Sequence, residues 1–281
     1  MKFTALGLTM CLAVPLAAQG RRPQMPAQTR QAITLDLAGQ GARARRLWQK
    51  EINTAATPTA RAAAERNMAM SWAFSGNCAQ TAAYETRVIA YWKTHESAQP
   101  HNAFYQEGEM ADEAAAVCID LGNTSAAARL YKLGHDRGLL EPDIPAGRRD
   151  LWNYRYQHAL ARLAARRGKH ATAVREVAAA RATLAQMQGD DAKLYQQQGA
   201  FLPYLEGYVA YYAGDYPTAL RDFQQDKRHD PFLACMLGLT YEKLHQPAQA
   251  RAAYEEAAKT RAHNPPAAFA IPFTRKKLRA Q

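Results

Sequence analysis

Four glycines at one fixed spacing constrain this chain more than anything else in it: Gly76, Gly122, Gly168 and Gly214 each stand 46 residues after the one before. Each closes a stretch whose apolar residues recur at helical spacing, and another such stretch follows within a few residues. A glycine that ends one helix of a helical hairpin has this setting. Small residues lie seven positions before three of these glycines (Ala115, Ala161, Gly207) and five positions after them (Ala127, Ala173, Ala219). Two antiparallel helices approach closely where nothing larger than a methyl group stands at the crossing. A bulkier residue nine positions after the glycine, Tyr131, Val177 or Phe223, fills the space alongside. The segments between the turns are rich in alanine, leucine and arginine, which are strong helix formers, so the chain is expected to be all-α.

The unit formed by Leu205, Gly207, Gly214-Asp215-Tyr216, Ala219, Phe223 and Asp230-Pro231 resembles the tetratricopeptide repeat closely. A second copy starts 31 residues later, with Leu237-Gly238, Tyr241, a turn at His245-Gln246-Pro247, then Ala250, Tyr254 and Ala257. Earlier units are longer, and the stretch Ala42-Arg43-Ala44 to Trp48 is similar to the second half of a degenerate first one. The resemblance covers roughly residues 28–262. It implies a right-handed superhelical solenoid of about five to six antiparallel helix pairs, each touching its neighbours, with a concave face lined by the first helix of every pair. It also implies a protein that binds proteins or peptides. A spacing of 46 in place of the family's usual length of about 34 predicts longer helices or ordered loops, with Glu141-Pro142-Asp143-Ile144-Pro145 as one such loop. Beyond it, residues 263–281 contain helix-breaking prolines and no acid, and are expected to form a loosely held basic C-terminal tail.

The N-terminus has the layout of a secretory signal peptide: Met1-Lys2, an apolar run over residues 3–16, the small pair Ala17-Ala18, then Arg21-Arg22. Cleavage near Ala18 would remove residues 1–18 and leave 19–27 as a flexible segment. Thr9-Met10 before Cys11 are not the small residues that lipoprotein processing needs. Nothing later in the chain supplies about 18 consecutive apolar residues, so no transmembrane segment is expected in the mature chain. The expected location is exported, periplasmic or secreted. Three cysteines then remain, Cys78, Cys118 and Cys235, and at most one bridge can form among them. In a stack of the tetratricopeptide kind, Cys78 would open the second helix of one pair and Cys118 would lie near the end of the first helix of the next. Those ends adjoin, which makes Cys78–Cys118 the candidate disulfide; two buried free thiols are the alternative.

The formal charge of +11 is banded. Residues 19–66 carry nine Lys or Arg against three acids, 148–181 nine against two, and 259–281 six against none, while 67–147 and 182–258 are net acidic. Such alternation suits anionic partners, contacts between copies of the chain, or a solvated helix face. Nucleic acid is disfavoured by the export signal.

Offsets that face the groove in tetratricopeptide proteins, counted back from the turn glycines, pick out the candidate partner-binding residues. Before Gly168 they are Arg155, His158, Arg162 and Arg166; before Gly214 they are Tyr204, Tyr208, Tyr211 and Tyr212. Arginines beside tyrosines suit a peptide with acidic or carboxylate groups, although tyrosines at helical spacing also serve as packing residues. The same offsets before Gly122 give Glu109, Asp112 and Asp120, an acidic neighbouring surface. The asparagine pattern of the family's clamp for C-terminal carboxylates is missing. No catalytic, cofactor-binding or metal-binding motif stands out: Glu242-Lys243-Leu244-His245 is a single ExxH where a di-iron bundle needs two, and there is no Gly-rich phosphate loop or G-x-S-x-G elbow. The expected function is therefore an exported binding or scaffolding module for a protein or peptide, with self-association, polyanion binding through the basic bands, or an enzyme on a helical scaffold as the alternatives.

Overall fold

The computed structural model describes residues 25–226, 228 and 230–280. The proposed signal peptide and residues 19–24 lie outside them; of the flexible segment 19–27, Ala27 already begins a helix. Among the described residues the chain is helical, without strands. The first hairpin pairs α1 (Ala27–Leu37) with α2 (Gly41–Thr54), the second α3 (Pro58–Phe74) with α4 (Cys78–Lys93), and the third α5 (Pro100–Asp120) with α6 (Thr124–Gly138). The fourth pairs α7 (Ala146–Arg166) with α8 (His170–Asp190). A short α9 (Ala192–Gly199) precedes the fifth hairpin, α10 (Leu202–Ala213) with α11 (Tyr216–Gln225), and the sixth, α12 (Pro231–Lys243) with α13 (Pro247–Ala257). A last helix, α14 (Pro265–Arg279), follows. Successive helices pack on one another apart from α9 and α10; α9 packs on α8, and α10 on α7, α8 and α11.

The glycine spacing acts through the turns. Gly39, Gly76, Gly122, Gly168 and Gly214 all adopt left-handed backbone, with φ between 68° and 86°, a conformation that costs any residue with a β-carbon. After three of them the next residue caps the following helix. Asn77 Oδ1 accepts from Gln80 N at 3.0 Å, Asn123 Oδ1 from Ala126 N at 3.0 Å, and Asp215 Oδ1 from Thr218 N at 3.2 Å. In the last hairpin His245 takes the left-handed position (φ 58°) in place of glycine. The long spacing has its cause in helix length, since α5, α7 and α8 each run for 21 residues. Residues 141–145 lie in the connection between α6 and α7, which spans 139–145.

Packing within hairpins follows the small-and-large pattern. Phe223 of α11 lies 2.7 Å from where a β-carbon on Gly207 of α10 would stand. The tightest packing between hairpins is around Trp152 of α7, 1% exposed. Its indole occupies the space that side chains at Gly108 of α5 and Gly138 of α6 would need, at 2.3 Å and 2.1 Å. Cys78, at the start of α4, is bonded to Cys118, near the end of α5; Cys235 is a buried free thiol.

The C-terminal expectation is corrected. Residues 263–281 do not form a loosely held tail: α14 buries Ala267, Ala268, Ala270, Ile271 and Thr274, against Ala73, Phe74 and Val117 on one side and Cys235 and Ala257 on the other. Pro265 and Pro266 start this helix. Proline fits a first turn, whose N–H groups have no partner inside the helix, and Asn264 caps it by accepting from Ala267 N at 3.1 Å. The same prolines that break a helix interior here open one. At the junction, His263 Nε2 lies 3.0 Å from Asp36 Oδ2, which also accepts from Trp48 Nε1 at 3.1 Å, while Ser71 Oγ donates to Asp36 Oδ1 at 2.6 Å. His263 stacks on Phe74, with centroids 5.2 Å apart. Arg275 donates to the Leu37 carbonyl at 2.8 Å. The last helix thus meets the first hairpin.

Candidate functional site

The eight residues picked out before Gly168 and Gly214 split into two groups. Arg162, Tyr204 and Tyr208 are buried, which leaves little of them to a partner, because Arg162 of α7 packs against Tyr204 and Tyr208 of α10. Arg162 donates to Asp120 Oδ1 at 2.7 Å and to the Tyr131 hydroxyl at 3.2 Å. Arg166 donates from Nε to the Tyr208 hydroxyl at 2.7 Å, and its guanidinium lies 5.2 Å from the Tyr212 ring centre. Tyr211 and Tyr212 are half-buried and meet edge to face. This set holds α5, α6, α7 and α10 together. Burial raises the Asp120 carboxyl to about 6, despite Arg162 and Arg166 beside it.

Arg155 and His158 belong elsewhere. They line a cavity of about 370 Å³, which also takes in Glu109, Asp112 and Glu113 of α5, Tyr131 of α6, Tyr154 of α7, Gln198 and Phe201 around the end of α9, and Pro265-Pro266 at the start of α14. The carboxylates sit at i, i+3 and i+4 and so share one face of α5. Arg155 forms an ion pair with Glu109, and Arg66 of α3 one with Glu113. Asp112 has neither a hydrogen bond nor a salt bridge among the described residues. Its Oδ1 lies against α6, 2.4 Å from where a β-carbon on Gly134 would stand. Burial, opposed by Arg155 and helped by Glu109 and Glu113, pushes the Asp112 carboxyl up to about 7. Glu85 of α4, deeper behind Arg66, is buried with both oxygens unbonded, and burial raises its pKa strongly.

His158 is the other incomplete group. Its ring stacks on Tyr204 (5.7 Å, 19°), and Nε2 is buried without a hydrogen-bond partner. Burial, then the charges of Arg162 and Arg228, hold its pKa well below the usual histidine value, so the ring is neutral at physiological pH.

A stability effect follows from Asp112. The carboxyl holds its proton more tightly in the folded chain (about 7) than at its ordinary value of 3.8, so its favourable contribution is full below about pH 4 and is lost as pH rises through 7. Asparagine copies the protonated form. Asp112→Asn should therefore leave Tm nearly unchanged below pH 4, raise it in part at pH 5 and raise it most at pH 8, measured by calorimetry; an equal shift at all three would contradict the assignment.

A few arginines of the basic bands are spent between hairpins, while Arg61, Arg175, Arg181 and Lys259 stay more than half exposed. Arg155–Glu109, Arg162–Asp120 and Arg66–Glu113 bridge neighbouring hairpins at sequence separations of 46, 42 and 47, so a basic hairpin faces an acidic one at about the repeat length. Glu242, the acid of the single ExxH, is held by Lys277 at 2.6 Å. Among the described residues no three His, Cys, Asp or Glu gather as a metal site, and no helix is long and apolar enough to cross a membrane. Sequence reasoning identified Arg155, His158, Glu109 and Asp112 but missed Phe201 and Pro265-Pro266, which come from a loop and from the supposed tail; the i, i+3, i+4 spacing of Glu113 with Glu109 and Asp112 was the available signal for the third acid. No protein-family model matches the chain, and no curated protein matches it.

Proposed function

We propose that the protein is an exported binding module of the tetratricopeptide type, which presents the inner side of a right-handed helical solenoid to a protein or peptide partner. One observation carries this: the cavity between α5, α7 and the start of α14 is lined by charged and polar side chains from three parts of the chain, among them Asp112, Arg155 and Gln198, beside apolar walls. A cleft with mostly apolar walls and a few convergent polar groups is the usual setting of a binding site. The apolar N-terminal run and the Cys78–Cys118 bond support export, because disulfides persist in oxidising compartments.

The test is photo-crosslinking in cells that export the chain, with a photoreactive residue at Phe201, which lines the cavity, or at Val174, which is 60% exposed on α8. A discrete crosslinked protein at position 201 and none at 174 is the expected result. No crosslink at 201, or the same products at both positions, would overturn the proposal.

A further inference from the structure

We infer that α9 is a hinged cover over a groove that follows α5 and α7, and that it lifts to admit the partner. The groove comes first. Beside the cavity of about 370 Å³ lies one of about 620 Å³, walled by His101 and Gln106 of α5, Arg148 and Leu151 of α7, and Asp190 and Leu194 on either side of the start of α9. A third, of about 170 Å³, is walled by Asp120, Arg162 and Tyr204. The walls step along the same elements by one turn at a time. On α5, Gln106 gives way to Glu109 and Ala116 to Asp120; on α7, Leu151 gives way to Tyr154 and His158 to Arg162. The third wall does the same, from Leu194 to Gln198 and from Phe201 to Tyr204. The three cavities therefore lie end to end in one groove, which at ~1.5 Å of rise per residue measures about 28 Å from His101 to Asp120.

The segment α9 is held unlike the helices around it. Its 8 residues and the 12 of α10 nearly make up the 21 of α5 and of α7, so the two are one long first helix broken at residues 200–201. Pro203 supplies the break: in a continuous helix it has no N–H for the Gly199 carbonyl, and its ring crowds that carbonyl. At the other end, Asp191 leaves α8 in extended backbone, with φ −156° and ψ 90°. There is thus a joint at each end of α9.

Between the joints the attachments are few. No residue of α9 is buried, and Leu194 and Tyr195 rest half-buried on the core. Among the described residues one hydrogen bond ties α9 to α7, from the Tyr154 hydroxyl to the Gln198 carbonyl at 3.2 Å. A helix this short is marginal in water without packing, and segments with little buried surface open at low cost. The opposite lip of the groove, Pro265-Pro266, belongs to α14, which buries five residues. The movable side is α9. Leu194 stands in the wall of the largest cavity and Gln198 in that of the next, so lifting α9 opens both and joins them. That the groove then takes a segment of a partner rests on the proposed partner-binding function; the cover rests on the geometry alone.

The experiment is thiol labelling of the chain from residue 19 with a maleimide carrying a polyethylene glycol chain. Gln106→Cys reports on the wall of the largest cavity, and Val174→Cys, on the exposed face of α8, is the open reference. The bonded pair Cys78–Cys118 and the buried Cys235 do not compete. Gln106→Cys should label more slowly than Val174→Cys by about tenfold or more. Tyr154→Phe, which removes the latch, should speed labelling of Gln106→Cys by about two- to tenfold, the change in opening that one hydrogen bond controls. Replacing residues 192–199 by a glycine-serine linker of equal length should bring it to the reference rate, and Val174→Cys should not respond to either change. Circular dichroism checks the fold of each variant, and if one does not fold the other decides. Equal labelling of the two reporters in the native background would show that α9 covers nothing, and slow labelling left unaltered by either change would show a fixed wall; each overturns the inference. A protein crosslinked at position 201 together with such a fixed wall would overturn the cover and leave the partner-binding function standing. A cover that lifts, with no crosslinked protein, would do the reverse.

Discussion

Conversion of Cys78 and Cys118 together to alanine is expected to lower the stability of the chain by about 4 kcal/mol. The bond closes a loop with a sequence separation of 40, and the chain entropy that a crosslink of this span removes from the unfolded state corresponds to that figure at 25 °C. Its position adds to the effect. Cys118 is fully buried among Ala115, Ile119, Ala127 and Tyr131, so the bond ties the second hairpin into the core of the third. Urea unfolding of wild type with and without reductant, beside the double variant, measures it: the oxidised midpoint should be the highest and the other two should nearly coincide. Equal midpoints for all three would mean that the bond does not form in the folded protein.

Asp36→Ala should cost a similar amount, about 3–5 kcal/mol, because it leaves a buried cluster without its acceptor. Asp36 is 1% exposed and accepts from Trp48, Ser71 and, across 227 residues of sequence, His263. Each donor left unbonded in the interior carries its own penalty of roughly 1–3 kcal/mol. The loss should not stay local. Hydrogen exchange should speed up in α1, α2, α3 and the start of α14 together, since Asp36 of α1 holds Trp48 of α2, Ser71 of α3 and His263 just before α14; faster exchange in α1 alone would show that α14 is held by its apolar contacts and not by this cluster.

What the sequence made legible was local. The turn glycines followed by Asn77, Asn123 and Asp215 mark hairpin corners, because left-handed backbone and helix capping are settled within a few residues. The small-and-large pairs, Gly207 with Phe223 or Gly238 with Tyr254, were legible for the same reason. Contacts between hairpins were not. Counting offsets placed Arg162 and Tyr208 on a face of their helices, but nothing local says that α10 packs on that face of α7 and turns both residues inward. The cavity was half visible, since Glu109, Asp112, Arg155 and His158 came from the same offsets, while its far wall comes from Phe201 and from Pro265-Pro266, distant in sequence. Pro265-Pro266 misled because a proline in the first turn starts a helix, and even Pro272 sits inside α14 without ending it; what decides is Asn264 and the apolar face of residues 267–271, which needs α3 and α12 to cover it.

The meeting of α14 with the first hairpin also bears on how such a chain can change over evolutionary time. Arrays of helical hairpins with free ends gain and lose units readily, because each unit answers only to the ones beside it. Here the bonds of His263 to Asp36 and of Arg275 to the Leu37 carbonyl join the two extremes, and they form only if the hairpins between carry the chain through the right path. Duplication or deletion of one 46-residue unit would part His263 from Asp36 and strip the cover from Ala73 and Phe74. The number of hairpins is thereby counted by the protein itself.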